Sequence, residues 1–398
     1  ERYYVLEELY PTYGPTPQHG NLVSRDVATR GIFFAVQQGF GVGGGRMAYL
    51  DITHLPQATK DKLAAILEIY EKFTGDDPRE IPMKIFPAVH YSMGGLYTVY
   101  ETQQDPKPKF LCDIVPDDAG QLKDPSKPAH PGMVNGSHYN MMTNVKGLYA
   151  FGEVNYQYHG ATRLGANALL SCIFDGIFCG LGVAKFAQTQ AKEDPISEIS
   201  EEVFAKYVEQ EEAKAEKFIA TAATEDAGAN PYDIHRRLGE IMTDEMTVVR
   251  TQEGMNKALG IVRDLIKEYE GVKLGDNGAW TNQNLSFTRA LGDMLIYAEA
   301  MLEAGIARKE SRGCHYCSDQ DGRNDEQYQK SAVCQYDAAT KSHKVVWEDV
   351  PIPLVEPRIR DYGGKTKKKP AAKKKLTNRP ELATAADPGQ DRNNNEPK

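Results

Sequence analysis

The chain has 398 residues, of which 40% are hydrophobic, and its formal net charge is −9. This length and apolar content are enough for two or three domains with buried cores, while the acidic balance gives no reason to expect a nucleic-acid partner. Six cysteines in so long a chain indicate reduced thiols rather than a disulfide framework. The first residues also lack the apolar stretch that is typical of a signal peptide.

A helix is predicted near the start of the chain, with Ser24 or Asp26 as its capping residue and Gln38 as its end. Arg25 would then lie at the start of this helix, where the helix dipole disfavours a positive charge. The sequence leaves open whether Arg25 is a functional cation or a solvated residue at a helix start.

The segment Gly39-Phe-Gly41-Val-Gly-Gly44 has the letters of the dinucleotide-binding pattern G-x-G-x-x-G. That pattern binds a dinucleotide when a strand precedes it and a helix follows it. Here a helical segment precedes it, and a strand-like run from Met47 to Thr53 follows. The sequence therefore predicts a glycine turn rather than a dinucleotide site.

An amphipathic helix is predicted from Ala58 to Phe73, because its apolar residues recur every three to four positions. A strand is predicted within 81–89, just before His90 and the Gly94-Gly95 pair. A histidine after a strand is commonly structural, whereas a glycine pair lets another group approach the backbone closely. Residues 96–146, rich in Pro, Asp and Lys, are expected to form a surface insertion or a partner-binding loop.

The next stretch is a predicted buried strand (148–151), a turn at Gly152 and Glu153, a loop of small residues with Arg163, and a helix that begins near Gly165. A glycine-rich loop between a strand and a helix directs backbone N–H groups toward an anion. Glu153 could accept a ribose hydroxyl, and Arg163 could form a forked pair with a carboxylate. An ordinary strand–helix connection with a surface arginine is the alternative that the residues leave open.

The apolar run from Leu164 to Phe186 is long enough to span a membrane. Because it contains Asn167, Ser171 and Asp175, a helix buried in the core is expected instead. Long periodic helices are predicted after it, and they indicate a helical bundle. Their ranges are 197–223, 231–252, 253–270 and 282–307.

Cys314 and Cys317 form a Cys-x-x-Cys pair beside His315. No second pair follows at the spacing of zinc ligands, so no metal is expected. From residue 363 onward the chain is rich in Lys, Pro and Asn. This composition predicts a disordered basic tail, either solvated or in contact with anionic lipid.

Three separated motifs together resemble the flavoprotein subunits of the succinate dehydrogenase/fumarate reductase family. They are Ser24-Arg25-Asp26, His90-Tyr-Ser-Met-Gly-Gly95 and His159-Gly-Ala-Thr-Arg-Leu-Gly165, and Glu310-Ser-Arg-Gly-Cys-His315 extends the likeness. Thr162 stands where the family has Asn, and Ala168 where it has Ser. L-Aspartate oxidase, with similar motifs, is the nearest alternative, and a truncated, non-catalytic polypeptide that docks an iron–sulfur partner is another.

The resemblance implies a site for FAD and for succinate or fumarate. By this likeness FAD takes the hydride, Arg25 transfers the proton, and His90 and Arg163 hold the dicarboxylate. The residues implied to contact FAD are Glu153, Ala168 and Leu169. Electrons would pass to an iron–sulfur subunit and quinone, with membrane anchor subunits beside them, and the chain would lie peripherally on the cytoplasmic side of the inner membrane.

The implied fold class is α/β plus α: a partial Rossmann-like FAD-binding domain with the remainder of a capping domain, a helical bundle and a small C-terminal region. The expected ranges are 1–84 for the capping remainder, 85–190 for the segment that contacts FAD and substrate, 191–309 for the helical domain, 310–362 for the small C-terminal region and 363–398 for the tail. The family's own dinucleotide motif is expected upstream of Glu1, so the chain is expected to be a fragment.

Overall fold

The computed structural model describes residues 25–101, 133–193, 200–223, 228–278, 280–337, 339–350 and 352. The predicted basic tail, most of the predicted insertion and the capping role of Ser24 lie outside these residues. Of the described residues, 25–90 belong to one compact unit and 91–352 to a second. Each unit is built from its own helices and small sheets.

The first element in the described part of the first unit is helix α1 (Arg25–Ala35), where the sequence predicts a helix. A π-helical turn (Val36–Phe40) and a 3-10 turn (Val42–Gly44) follow before strand β1 (Ala48–Leu50). The glycine segment therefore follows a helix and precedes a strand, the reverse of the order that a dinucleotide site needs. The prediction of a glycine turn is confirmed.

The predicted helix from Ala58 to Phe73 is divided into α2 (Gln57–Lys62) and α3 (Ala64–Thr74), with Leu63 between them. Strand β2 (Met83–Ile85) then pairs antiparallel with β1. The core of this unit is a small cluster of three buried residues: Ile52, Leu67 and Met83.

The second unit opens with two short antiparallel strands, β3 (Thr98–Val99) and β4 (Met142–Thr143). The buried strand predicted at 148–151 is wrong, because only Tyr149 forms a bridge, to Met142. Glycines with positive φ, Gly147 and Gly152, bound this run and turn the backbone away at both ends. The sheets of the described residues are each two-stranded and antiparallel, so the parallel sheet of a Rossmann-like domain is not among them.

Helix α4 (Asn167–Glu193) follows and is exposed along one face, which corrects the expectation of a helix buried in the core. Asp175 and Cys179 are fully buried, whereas Leu169, Ile177 and Leu181 are 66–73% exposed. The sequence pattern could not distinguish these faces, because both are apolar apart from a few positions. Among the described residues, α4 is the one helix long and apolar enough to cross a membrane by length and composition, and 22% of that apolar segment is buried.

The helices predicted after α4 are confirmed. They are α5 (Glu201–Thr221), α6 (Pro231–Met242), α7 (Gln252–Tyr269) and α8 (Gln283–Ala307). A π-helical turn (Thr243–Thr247) ends α6 earlier than expected. Fully buried side chains on α7 and α8, including Met255, Leu265, Leu291 and Leu302, form the largest core of the described residues.

A short helix, α9 (Asp325–Tyr328), leads to the hairpin of β5 (Lys330–Asp337) and β6 (Ser342–Asp349). Glu348 on β6 accepts hydrogen bonds from the hydroxyls of Tyr97 (3.0 Å) and Tyr156 (2.9 Å), whose rings are stacked 5.0 Å apart. The hairpin is thus attached to the segment that leads into α4.

Candidate functional site

The loop between the 3-10 turn at Gly152–Val154 and helix α4 carries the motif His159-Gly-Ala-Thr-Arg163. We call residues 155–166 the site loop. It turns tightly, because His159, Gly160 and Ala166 have φ values of 72°, 53° and 64°. Non-glycine residues at positive φ are uncommon and concentrate at functional sites.

Arg163 is fixed against the ring of Tyr91. Its guanidinium carbon lies 5.0 Å from the ring centroid, and Nη1 donates to the Leu164 carbonyl at 2.9 Å. Its Nε is buried without a hydrogen-bond partner. A buried donor left unpaired costs about 1–3 kcal/mol, so this N–H is available to an acceptor such as a carboxylate.

His159 packs beside the same aromatic ring. Its imidazole meets the Tyr91 ring edge to face at 5.2 Å, and Nε2 lies 3.3 Å from Ser171 Oγ on α4. Burial, and then the charge of Arg163, lower the pKa of His159, so the imidazole is neutral at pH 7. Tyr91 and His159 were not among the residues singled out from the sequence, although both lie within the motifs that suggested the family.

Glu153 lies in the 3-10 turn and is exposed, and its Oε1 accepts the Ser92 N–H at 2.9 Å. The turn is held at a second point by the Leu96 N–H, which donates to the Val154 carbonyl at 2.7 Å. A Cβ on Gly95 would lie 2.3 Å from that carbonyl. The group that approaches the Gly94-Gly95 pair is therefore the chain's own backbone.

Ala168 and Leu169 lie in the first turn of α4, where Leu169 is 68% exposed. This turn contains no acidic residue, and a Cβ on Gly165 would meet no atom within 4 Å. An open, uncharged helix start fits an anionic or electron-rich cofactor edge. With the unpaired Nε of Arg163, these features fit both an FAD contact and a carboxylate contact.

Arg25 opens α1, as predicted, and His90 is an exposed residue at the end of the first unit. The remaining predicted site residues, Glu153, Arg163, Ala168 and Leu169, belong to the second unit. Within this unit Arg163 and His159 contact the ring of Tyr91, and Glu153 accepts from the adjacent Ser92.

Residues 310–315 pack against the site loop. The Cys314 N–H donates to the Ala161 carbonyl at 2.8 Å, and a Cβ on Gly313 would lie 2.1 Å from Thr162 Oγ1. Glu310 is 1% exposed and accepts from Arg308 (2.7 Å) and Arg312 (2.7 Å). Burial raises its pKa, but the hydrogen bonds, led by that from Arg312, outweigh burial and hold the pKa below its usual value.

His315 is held in the same region by Arg250, whose Nη1 lies 2.5 Å from His315 Nδ1. Burial and the charge of Arg250 lower the pKa of His315 to about 4. Cys317 Sγ lies 3.4 Å from His315 Nε2. Among the residues that the structure describes, no group of three or more His, Cys, Asp or Glu side chains could hold a metal ion.

Two family models match the chain. Residues 4–169 match a model described as "FAD binding domain", and residues 235–362 match "Fumarate reductase flavoprotein C-term". The second match begins within α6 and includes α7, α8 and the β5–β6 hairpin. The first match includes the site loop.

Curated relatives and solved structures agree with these matches. The chain is 37% identical over 365 residues to the succinate dehydrogenase flavoprotein subunit of Bacillus subtilis, covering 91% of this chain and 54% of that protein. It is 27% identical to the fumarate reductase flavoprotein subunit of Escherichia coli, covering 89% and 52%. A solved E. coli quinol fumarate reductase flavoprotein variant superposes with a TM-score of 0.69 and 26% identity, over 92% of this chain and 56% of that one. The chain spans about half the length of the curated relatives it matches.

Proposed function

Because this chain belongs to the succinate dehydrogenase/fumarate reductase flavoprotein family, we propose that it forms part of a flavoprotein that interconverts succinate and fumarate. The observation that carries the proposal is Arg163, a guanidinium fixed on the Tyr91 ring with one buried N–H that lacks an acceptor. A substrate carboxylate supplies that acceptor, and a charge-assisted hydrogen bond is the strong kind.

FAD is the cofactor of this family. When bound, it supplies the hydride chemistry of the reaction. Glu153 and the backbone N–H groups of Ala168 and Leu169 are the residues of this chain that we assign to it. Two features support this assignment. The first turn of α4 is open and contains no acidic residue, and the carboxylate of Glu153 is exposed in the 3-10 turn before the site loop.

The dicarboxylate is held at both ends in this proposal, by Arg163 and by His90. The neutral His159 adds no second positive charge, so the carboxylate is directed to Arg163. Arg25 is assigned to proton transfer. A guanidinium keeps its proton in water, so Arg25 has to act with a relay partner that exchanges the proton with it.

The finer domain layout is part of the proposal. We assign residues 1–84 to the remainder of a capping domain, 85–190 to the segment that contacts FAD and substrate, with an insertion at 96–146, and 191–309 to the helical domain, with a small C-terminal region at 310–362. The division of the chain between His90 and Tyr91 supports the first boundary, and the helical core of the second unit supports the helical domain.

We further propose that the flavoprotein works with an iron–sulfur subunit and membrane anchor subunits, peripherally on the cytoplasmic side of the inner membrane, and exchanges electrons with quinone. The support is family membership, together with quinol in the name of the similar E. coli enzyme.

The test is substrate-dependent reduction of a dye by the FAD-loaded protein, isolated with any subunits that co-purify. Succinate should reduce the dye and L-aspartate should not, and Arg163→Gln should abolish the succinate signal. The matched control is Arg236→Gln, which removes an exposed arginine from α6. Dye reduction by L-aspartate alone would assign the chain to the alternative oxidase, and equal activity in Arg163→Gln would remove Arg163 from the site.

A further inference from the structure

One face of α4 carries the polar groups that hold the site loop. Ser171 and Asp175 are four residues apart, so they lie on the same face of the helix. They are 7% and 0% exposed, respectively, in a helix that is otherwise mainly apolar. A buried carboxylate is destabilising unless it is hydrogen-bonded, so the partners of Asp175 explain why it is tolerated.

Asp175 binds both ends of the segment that leads to His159. Its Oδ2 accepts the Gly152 N–H at 2.7 Å, and its Oδ1 accepts the hydroxyl of Tyr158, the residue just before His159. A Cβ on Gly152 would lie 2.5 Å from Cys172 Sγ, so the backbone there is in direct contact with α4. The Asp175 carboxylate thus holds two points of the chain in place: the turn at Gly152, just before the site loop, and Tyr158 within the loop.

Ser171 determines which nitrogen of His159 carries the proton. A serine hydroxyl has one proton to donate, and that of Ser171 is donated to the Ala168 carbonyl at 2.8 Å. Because its proton is donated there, the Ser171 oxygen accepts from His159 Nε2, which lies 3.3 Å away. The lowered pKa of His159 agrees with a neutral ring, and donation to Ser171 Oγ then requires the one ring proton to be on Nε2.

We propose that Ser171 and Asp175 are positioning residues, which hold the site loop on α4 and fix His159 as the Nε2–H tautomer with a free lone pair on Nδ1. The proposal deepens, and rests on, the dicarboxylate site assigned above. The ring of Tyr91 then contacts both a donor, Arg163, and an acceptor, His159. Because an acceptor repels a carboxylate oxygen, the tautomer leaves Arg163 as the anion-binding group of the loop.

The direct test is nitrogen NMR of the histidine rings in the full chain labelled with ¹⁵N-histidine, with His159→Gln to assign the signal among nine histidines. At pH 7 the wild type should show a pyrrole-like Nε2 and a pyridine-like Nδ1 for His159. Ser171→Ala should move both signals toward the average of two tautomers, and Ser171→Thr, which keeps the hydroxyl, should restore the wild-type pattern. A wild-type pattern in Ser171→Ala would overturn the role of Ser171.

The role of Asp175 is tested through Tyr158→Phe, which removes one hydrogen bond and leaves the ring. Loss of one such bond should weaken malonate binding by about tenfold and broaden the His159 signals. The matched control is Tyr149→Phe, which removes a tyrosine hydroxyl bonded to the His138 carbonyl, outside the site loop. Equal behaviour of the two variants would overturn the role of Asp175.

The two proposals fail in different ways. If wild-type protein does not bind malonate, the proposed function fails, while the His159 signals still report the tautomer and its dependence on Ser171. If malonate binds and the Ser171 variants leave the signals unchanged, the positioning role fails and the dicarboxylate site stands.

Discussion

The guanidinium of Arg163 lies 5.0 Å over the ring of Tyr91, a residue 72 positions earlier in the chain. This contact joins residues 91–95 to the site loop within the second unit. It leaves Arg163 with a fixed direction and one buried N–H unpaired. The first two predictions follow from this arrangement.

Arg163→Gln should weaken binding of a dicarboxylate inhibitor such as malonate by about 2–5 kcal/mol, the range for truncating one side of a buried charge pair. Calorimetry on the FAD-loaded protein measures this loss. Arg236→Gln, on the exposed face of α6, should leave the affinity unchanged. An unaltered inhibitor constant in Arg163→Gln would show that the arginine has only a structural role.

Tyr91→Leu should weaken the same binding by about 0.5–2 kcal/mol, because it removes the aromatic face under the guanidinium. Tyr91→Phe keeps that face and should retain most of the affinity. The comparison separates the aromatic ring from the hydroxyl. Equal losses in the two variants would contradict a cation–π role.

Arg25→Gln should abolish turnover while FAD content and malonate affinity stay close to wild type, because Arg25 is assigned to proton transfer rather than to binding. The control is Arg30→Gln in the same helix, which removes an ion pair with Asp26. Arg30 is not assigned to the reaction, so its loss should leave turnover intact. Substantial kcat in Arg25→Gln would remove it from the reaction.

Gly313→Ala should destabilise the protein and weaken malonate binding together, because the new methyl group would overlap Thr162 Oγ1 and the Ala161 carbonyl in the site loop. Gly313 also has a φ of 58°, where a side chain adds strain of about 1 kcal/mol or more. Gly239→Ala is the matched control, since a Cβ there meets no atom within 4 Å in α6 and should stabilise the helix. Thermal unfolding and malonate titration measure the two effects, and unchanged affinity in Gly313→Ala would show that the site loop does not depend on this support.

The free energy of unfolding should fall as pH decreases from about 6.5 to 4, in part because of His315. Its pKa is lowered to about 4 in the folded state, so the unfolded chain binds the extra proton in that interval. A tenfold difference in proton affinity between the folded and unfolded chain corresponds to about 1.4 kcal/mol. Urea unfolding of wild type and His315→Gln at pH 7.5 and 5 tests this, with exposed His235→Gln as the control. The same pH dependence in wild type and His315→Gln would refute the assignment.

The helical part of the fold could be predicted from the sequence, since α5 to α8 show regular apolar spacing and clear caps such as Asn230 before Pro231. The glycine turn before β1 was also predictable, because strand and helix signals around it were in the wrong order for a dinucleotide site. That no strand forms at 148–151 could not be predicted, because it depends on the positive φ of Gly147 and Gly152.

The site was predictable only in part. Arg163 and Glu153 were recognisable from residue type and motif, but their contacts with Tyr91 and Ser92 join positions 60 or more residues apart. Such contacts depend on tertiary structure and leave no periodic signal in the sequence. The same holds for Asp175, whose acidic side chain in an apolar run gave no indication of its two donors.

The exposed apolar face of α4 has a consequence for the behaviour of the chain in solution. Leu169, Leu170, Ile177 and Leu181 are each more than 60% exposed, and water contact with such a face becomes less favourable in salts that are excluded from protein surfaces. Sulfate and phosphate buffers should therefore promote self-association, whereas chloride at equal ionic strength should keep the chain dispersed. Light scattering in the two buffers distinguishes them, and the choice of salt will decide whether binding is measured on single chains or on clusters.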